Sequence, residues 1–342
     1  MLKDVTVGIT LGDPSGIGPE ITVKALSLRE LWDQTKLVVI GNRDVLTDTL
    51  NIVGSEQKLV EINDPSEARG YGHINFIECG VPAQVLEYGK VSQEGGEAAY
   101  TYITRGIELA LQKKIDAVIT GPLHKEALAQ AGCPYPGHTE IFASQTGTKD
   151  YAMMLAAGPL RVVHVSTHVS LREACDAVTK ERVLTVIELT WRGLCQLGIE
   201  KPRIGVAGLN PHAGEGGLFG DEEIKEIIPA IEAARQKGLN VEGPIPPDTA
   251  FIKGRDGQYD AVVAMYHDQG HIPVKVAGFS LDTEKGNWSA MKGVNITLGL
   301  PIIRSSVDHG VAFGKAGKGT ANPQSMIEAI QLGITMARNS KA

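Results

Sequence analysis

Short continuous apolar runs alternate along the chain with longer segments in which apolar residues recur three and four positions apart. A continuous apolar run of about four to eight residues is typical of a strand buried on both faces, and the wider spacing is typical of an amphipathic helix. Strands are therefore predicted over residues 5–11, 37–40, 116–120, 160–166, 203–209, 260–265 and 294–298. Helices are predicted from about Pro19, after residues 41–44, over 96–114, over 171–197, and from Asp221. Strands that alternate with helices predict βαβ units and a largely parallel α/β sheet.

Three of the predicted strands lead into a histidine shortly after they end. The runs at 160–166, 203–209 and 260–265 are followed by His168, His212 and His267, respectively. Because the carboxyl ends of parallel strands meet at one edge of a sheet, we expect the three imidazoles on that edge. Three imidazoles can hold a divalent metal and leave positions for water or substrate. A single histidine at a strand end is more often a hydrogen-bonded loop residue, but the repetition favours a metal site.

The remaining histidines have other predicted roles. His164 lies four residues before His168 on the same predicted strand. Because residues i and i+4 of a strand are about 13 Å apart, His164 is predicted to be a core histidine or to support a ligand from behind. His271 and His124 are predicted to lie in loops near the site, and His73 is predicted to be structural.

Cationic and hydroxyl side chains that follow apolar or glycine-rich stretches indicate a site for an anion. Gly137 opens a turn that offers the imidazole of His138 and the hydroxyl of Thr139. Lys275 and Arg304 each follow a short apolar run. Surface lysines and arginines are usually solvated, but these positions favour charge-assisted bonds to a phosphate or a carboxylate.

Two glycine-rich segments each allow two interpretations. Residues 12–20 (GDPSGIGPE) form either a phosphate-holding turn before a helix or simply a tight strand-to-helix turn, since they match neither common nucleotide-binding motif. Residues 309–323 either let the backbone approach a flat or phosphorylated ligand closely or form a flexible loop.

Length and composition limit the number of domains, the binding partners and the cellular compartment that we expect. A chain of 342 residues exceeds one ordinary core, so two domains or two halves of one large sheet are expected. With a net charge of −7, the chain has no excess of basic residues. Neither nucleic acid nor an acidic membrane surface is therefore an expected partner. The four cysteines form no C-x-x-C pair, and we see neither a signal-peptide pattern nor a membrane-spanning apolar run. A cytoplasmic protein with reduced thiols is expected.

Five segments together resemble a known enzyme family. They are 12–20 (GDPSGIGPE), 137–140 (GHTE), 209–217 (LNPHAGEGG), 266–270 (YHDQG) and 294–301 (VNITLGLP). In these segments the chain resembles the 4-hydroxythreonine-4-phosphate dehydrogenase family, and the resemblance spans essentially its whole length.

The resemblance implies a two-domain α/β/α fold like that of isocitrate and isopropylmalate dehydrogenases, with a metal-dependent, NAD-linked site in the cleft between the domains. One domain is expected to comprise residues 1–130 plus 305–342 and to contain the cofactor loop. The other, residues 131–304, is expected to carry the metal and substrate ligands and the dimer interface. A homodimer is implied, with one divalent cation (Zn, Mg, Mn or Co) per subunit and the third metal ligand supplied by the partner subunit.

Individual roles carry over onto matching positions. The family's metal ligands fall on His168, His212 and His267, the same three that the strand ends predict. Its substrate contacts fall on His138, Thr139, Lys275, Asn295 and Arg304. Similarity of residues 309–323 to the adenosine-binding loop of isopropylmalate and isocitrate dehydrogenases implies cofactor contacts at His309, Gly310, Ala312, Gly317 and Asn322. The candidates for proton transfer or for orienting the ligands are Lys275, Asp248 and Asp268.

One departure from the biosynthetic vitamin B6 enzyme bears on the substrate. The path from Lys275 to Asn295 carries an extra segment, residues 280–292. With residues 167–173 and 217–220, this segment looks like the catabolic branch that acts on 4-phosphorylated sugar acids. The expected reaction is NAD-linked oxidation of 4-phospho-D-threonate with loss of CO2, which yields dihydroxyacetone phosphate. The alternatives are 4-phospho-D-erythronate as substrate, the biosynthetic substrate 4-hydroxy-L-threonine 4-phosphate, or a binding protein that captures a phosphorylated acid without turnover.

Overall fold

The computed structural model describes residues 5–33, 35–79, 87–282 and 287–341. The strands are β1 (Val5–Thr10), β2 (Thr35–Gly41), β3 (Lys58–Glu61), β4 (His73–Glu78), β5 (Ala117–Thr120), β6 (Ala152–Ala157), β7 (Leu160–His164), β8 (Ile204–Ala207), β9 (Val241–Ile245), β10 (Ala261–Ala264), β11 (Phe279–Asp282), β12 (Asn287–Met291), β13 (Val294–Leu298) and β14 (Ile303–Val307). The helices are α1 (Gly18–Leu26), α2 (Arg43–Val53), α3 (Gln93–Leu111), α4 (Lys125–Gln130), α5 (His138–Gln145), α6 (Leu171–Asp176), α7 (Lys180–Gln196), α8 (Ile228–Gln236), α9 (Pro247–Arg255), α10 (His267–Gly278) and α11 (Gln324–Lys341). The α/β class predicted from the alternation of strands and helices is confirmed.

The chain divides into two compact units. The first comprises Met1–Lys149 with Leu300–Ala342, and the second comprises Asp150–Gly299. The sequence led us to expect boundaries after residue 130 and after residue 304. The structure therefore assigns His138, Thr139 and Arg304 to the first unit rather than the second.

A parallel sheet in the order β3-β4-β2-β1-β5-β14 forms the first unit. Its two faces are covered by different helices. Gly106 of α3 lies against Val118, whereas Gly333 of α11 lies against Ile119. Because successive residues of a strand point to opposite faces, α3 and α11 cover opposite sides of this sheet.

The second unit has its strands in the order β13-β6-β7-β10-β8-β9. β13, β6 and β7 pair antiparallel, and β7, β10, β8 and β9 run parallel. Gly254 of α9 lies against Val262, whereas Gly193 of α7 lies against Leu298, which the register places on the same face as Val263. Helices therefore cover both faces here too. A separate antiparallel hairpin, β11 with β12, accounts for the described part of the extra segment at 280–292.

Two sequence predictions in the second unit were wrong. The single helical stretch over 171–197 is divided into α6 and α7, because Thr179 accepts a hydrogen bond from the Arg182 N–H and caps a new helix. His271, predicted to lie in a loop, instead lies on α10, which begins at His267. No helix in the described parts of the chain is long and apolar enough to cross a membrane.

Candidate functional site

The three histidines predicted from strand ends follow neighbouring parallel strands. β7, β10 and β8 are adjacent in that order, and His168, His267 and His212 follow their carboxyl ends. The rings of His168 and His267 lie 5.6 Å apart between centroids. Both line a pocket of about 320 Å³ together with Thr167, Val169, Leu171, Ala174, Tyr266 and Asp268. The three histidines therefore follow strands that end at the same edge of the sheet, as the sequence predicted.

His212 lies in a left-handed turn. Residues 212–216 all have φ between 44° and 80°, although three of them are not glycine. This conformation costs about 1–2 kcal/mol per non-glycine residue and persists only where surrounding contacts hold it. The buried carboxylate of Glu223 supplies such contacts, because Oε1 accepts the N–H groups of Leu209 at 2.7 Å and Asn210 at 2.8 Å. Sequence reasoning missed Glu223, for which the only signal was an acidic pair at a helix start.

The described residues of one chain do not group the three histidines around a common point. Among the described residues, no group of three or more His, Cys, Asp and Glu side chains is placed to hold an ion. The structure thus brings His168 and His267 together but not His212 with them.

Two further histidines lie behind His267. His271 stacks on it with ring centroids 3.6 Å apart, and Nδ1 of His271 lies 3.1 Å from Nε2 of His164. His164 is fully buried at the end of β7, which confirms its prediction as a core histidine. Burial is the main cause that lowers the pKa of His164 to about 3 and that of His271 to about 4.

The candidate acid and base residues occupy different places in the second unit. Nδ1 of His267 lies 2.7 Å from Oδ1 of Asp268, which orients the ring. Asp248 lies exposed in the first turn of α9. Lys275 lies on α10 with Nζ 4.6 Å from the centre of the Phe279 ring. Asn295 lies on β13, and its Oδ1 is buried without a hydrogen-bond partner in the described chain.

The first unit contains a buried cation beside a helix start. Arg304 on β14 is 2% exposed, donates to Thr120 Oγ1 at 2.9 Å and lies over the Phe142 ring. His138 and Thr139 form the first turn of α5, whose backbone N–H groups have no partner within the helix and favour an anion. The sequence did not single out Thr120 or Phe142, because only tertiary packing brings them to Arg304.

Burial determines the charge states of His138 and Arg304. Burial, and next the positive charge of Arg304, hold the pKa of His138 well below its ordinary value, so its ring is neutral. Nε2 of His138 is buried and makes no hydrogen bond to any described residue. Burial lowers the pKa of Arg304 to about 10, which still leaves the guanidinium charged at neutral pH. A neutral donor or acceptor next to a fixed positive charge suits a phosphate or a carboxylate.

Residues 33–333 match the family model described as "Pyridoxal phosphate biosynthetic protein PdxA". The chain belongs to the PdxA family. Membership of the 4-hydroxythreonine-4-phosphate dehydrogenase family, expected from the sequence motifs, is thereby confirmed.

Several members of the PdxA family are similar over nearly their full length. "D-threonate 4-phosphate dehydrogenase" of Salmonella typhimurium is 49% identical over 98% of this chain and 100% of that protein. The Cupriavidus necator protein of the same name is 48% identical over 97% of each chain. A solved structure of 4-hydroxythreonine-4-phosphate dehydrogenase from Klebsiella pneumoniae superposes with a TM-score of 0.85 at 44% identity and covers 98% of both chains.

In this PdxA family member the segment at 309–323 is anchored to α1. Glu20 Oε1 accepts the Gly317 N–H at 2.7 Å, and Lys24 Nζ donates to the carbonyls of Gly319 and Ala321. Among the proposed cofactor contacts, His309 is half-buried, Gly310 is exposed, and Ala312 has a left-handed backbone. Asn322 Oδ1 accepts the Gln324 N–H at the start of α11. These contacts favour an ordered loop over a flexible one.

The glycines of the segment at 12–20 are explained by close packing. A Cβ atom would lie 2.2 Å from the Pro122 carbonyl at Gly12 and 2.0 Å from the Leu11 carbonyl at Gly18. Asp13 is fully buried and accepts the Ser15 N–H at 2.9 Å, while its own N–H donates to the Pro122 carbonyl. Of the two interpretations of this segment, the structure favours the tight strand-to-helix turn.

Proposed function

We propose that this protein oxidises D-threonate 4-phosphate with NAD as the hydride acceptor. The observation that carries the proposal is the similarity, at 48–49% identity over 97–98% of the chain, to proteins named D-threonate 4-phosphate dehydrogenase. Oxidation of the hydroxyl on the third carbon gives a β-keto acid, and such an acid loses CO2 readily. The products are then dihydroxyacetone phosphate, CO2 and NADH.

The buried group around Arg304 supports a substrate that carries a phosphate and a carboxylate. Arg304 supplies a forked donor that is charged at neutral pH, and Thr139 and His138 add a hydroxyl and a neutral imidazole at the start of α5. Fixing the anionic ends of the substrate determines which carbon faces the nicotinamide. We assign Lys275 and Asn295 as further substrate contacts on the strength of the family resemblance.

We further propose that His168, His212 and His267 bind one divalent cation, with one of the three supplied by a second chain. Three imidazoles are a donor set that suits Zn or Co better than Mg or Mn and leaves positions open, and the described residues of one chain do not group all three. When bound, such an ion lowers the pKa of a substrate hydroxyl. Asp268 orients His267, and Lys275 or Asp248 is proposed to accept or return the proton.

A homodimer is proposed on the basis of exposed apolar side chains near the histidines. Val169 and Leu171, which line the pocket beside His168, are 50% and 63% exposed. Ile272 and Val276, one turn apart on α10, are 60% and 76% exposed. Apolar groups of this size are commonly covered by another chain.

Substrate choice is tested by a side-by-side assay of NADH formation. D-threonate 4-phosphate, D-erythronate 4-phosphate and 4-hydroxy-L-threonine 4-phosphate should be compared at equal concentrations with the same protein. We expect the highest kcat/KM with D-threonate 4-phosphate. Preference for the amino acid would support the second candidate, the biosynthetic activity, which the similarity to the Klebsiella pneumoniae enzyme favours. Thermal stabilisation by all three without NADH formation would indicate a binding protein.

Metal sharing is tested by mixing two inactive variants. We expect His212→Ala and His267→Ala to be inactive separately and to regain activity after unfolding and joint refolding, because each mixed dimer then contains one complete set. If all three ligands came from one chain, no mixture would be active. Removal of metal with a chelator, verified by elemental analysis, should abolish turnover in the wild type, and retained activity would refute the metal role.

A further inference from the structure

The side-chain amide of Gln269 lies between the ends of β10 and β8. Its Oε1 accepts the Met265 N–H at 2.7 Å, and its Nε2 donates to the Gly208 carbonyl at 2.8 Å. Gln269 is 8% exposed, so both bonds are shielded from water. One buried amide therefore joins the residue after β10 to the residue after β8.

The strand register shows which direct backbone pairing the Gln269 amide replaces. β10 and β8 pair with Val262 opposite Gly205 and Val263 opposite Val206. Continuing the pairing by two residues would bring Met265 opposite Gly208. In a parallel ladder neighbouring backbones bond directly through N–H and C=O groups. The carboxamide of Gln269 has one group of each kind, and it therefore acts as an inserted peptide unit that separates the two strand ends.

On the other side of β10 the neighbouring chain bonds to it directly. The Val165 N–H donates to the Ala264 carbonyl at 2.8 Å, and Ser166 Oγ donates to the Met265 carbonyl at 3.0 Å. The chain that leads to His168 therefore stays close to β10. This asymmetry agrees with the ring positions, because His168 lies near His267.

The chain beyond Gly208 is fixed as well. Glu223 accepts the N–H groups of Leu209 and Asn210, directly before the left-handed turn that carries His212. Gln269 sets where this segment begins relative to β10, and Glu223 sets its direction.

We infer that Gln269 is a positioning residue that fixes the spacing between the strand end carrying His267 and the one carrying His212. The inference concerns the placement of side chains that the proposed function makes metal ligands, and it rests on that function only for its catalytic consequence. It predicts that loss of the amide moves His212 relative to His267 without removing either.

The test compares Gln269→Met, which removes both hydrogen bonds, with Gln269→Glu, which keeps the acceptor for Met265 and loses the donor to Gly208. Gln258→Met is the matched control, because this glutamine is exposed and its side chain donates to the hydroxyl of the adjacent Tyr259. In metal-free protein, amide hydrogen exchange at Met265 should accelerate at least about tenfold in Gln269→Met and stay near the wild-type rate in Gln269→Glu. Imidazole NMR shifts of His212 and His267 should change in both Gln269 variants and not in the control.

Turnover provides the second readout. We expect kcat to fall about 10–100-fold in Gln269→Met, the range found when a residue that orients metal ligands is lost, with the KM for NAD nearly unchanged. Unchanged exchange at Met265, or changed exchange with unchanged imidazole shifts and kcat, would overturn the inference. If the wild type oxidises none of the acids but the imidazole shifts still respond, the proposed function fails and the positioning role stands.

Discussion

His164 Nε2 lies 3.1 Å from Nδ1 of His271, and this contact fixes the tautomers of both rings. Nδ1 of His164 lies 3.3 Å from the Met153 carbonyl, which can only accept a hydrogen bond, so this nitrogen carries the proton. Nε2 of a neutral His164 must then accept, and Nδ1 of His271 must donate. The carbonyl of His267, 3.0 Å from the same Nδ1, requires the same assignment. His271 consequently has an unprotonated Nε2.

The first prediction is that His164 makes the protein less stable in acid. Its pKa is lowered from 6.5 to about 3 in the fold, so below pH 6.5 the unfolded chain binds a proton that the folded chain does not. The stability contributed by the neutral ring is complete above pH 6.5 and is lost as the pH falls towards 3. We expect the difference in free energy of unfolding between the wild type and His164→Gln to shrink by up to about 1.4 kcal/mol per pH unit in this range.

Urea denaturation at half-unit steps from pH 7 to pH 4 measures this difference. His73→Gln, at a partly exposed position in β4, is the control and should run parallel to the wild type. Parallel curves for His164→Gln as well would show that His164 is not the group responsible.

The second prediction concerns Gly270, which packs against the ring of His164. A Cβ atom at Gly270 would lie 2.3 Å from His164 Nε2 and 2.7 Å from Val162 Cγ1, and neither side chain has room to move in the buried sheet. We expect Gly270→Ala to reduce the free energy of unfolding by about 1–3 kcal/mol despite the better helix propensity of alanine. Gly70→Ala, where no heavy atom lies within 4 Å, should be nearly neutral. Equal melting temperatures for the two variants would contradict the packing argument.

The sequence correctly predicted the strands and helices whose own residues favour the structure that they form in the fold. The strand over 294–298 was predicted with the bounds that β13 has. The helix predicted after residues 41–44 is α2, which begins at Arg43 and is capped by Asn42. β6 was missed because its sequence AMMLAA lacks the β-branched residues typical of strands. It forms because β7 and β13 pair with it on either side.

Features of the site that depend on distant contacts could not be read from the chain. The left-handed turn at 212–216 is unfavourable for its own residues and needs Glu223 to hold it. The assignment of α5 to the first unit depends on its packing against α3, which no boundary signal in the sequence records. The residue types that follow the strands were predictable, whereas the distances between their side chains were not.

The third prediction is that Glu223 stabilises the loop that carries His212. In Glu223→Gln one oxygen remains for the N–H groups of Leu209 and Asn210, but the new NH2 group faces Asn210 Nδ2, which is also a donor. We expect a loss of about 1–3 kcal/mol in the free energy of unfolding, the cost of leaving buried polar groups unsatisfied. Glu222→Gln is the control, because Glu222 accepts from the same Asn210 amide without contacting the backbone. An equal loss in both variants, measured by urea denaturation, would show that the backbone contacts are unimportant.

The fourth prediction is that Arg304 binds an anionic end of the substrate through its forked donor. In Arg304→Lys the charge remains at neutral pH but the geometry that bonds to Thr120 and to an oxyanion is lost, so we expect KM for the phosphorylated acid to rise about 10–100-fold, the equivalent of one strong hydrogen bond to a charged group.

Burial adds a pH dependence that distinguishes this role from a general loss of folding. The burial that lowers the pKa of Arg304 to about 10 acts on a lysine in its place, and a lysine begins from a lower ordinary value. The KM of Arg304→Lys should therefore rise further between pH 7 and pH 9, while the KM of the wild type should not show this rise. Arg192→Lys, at an exposed position on α7, should match the wild type throughout. A KM for Arg304→Lys that equals the wild-type value at every pH would exclude Arg304 from substrate binding.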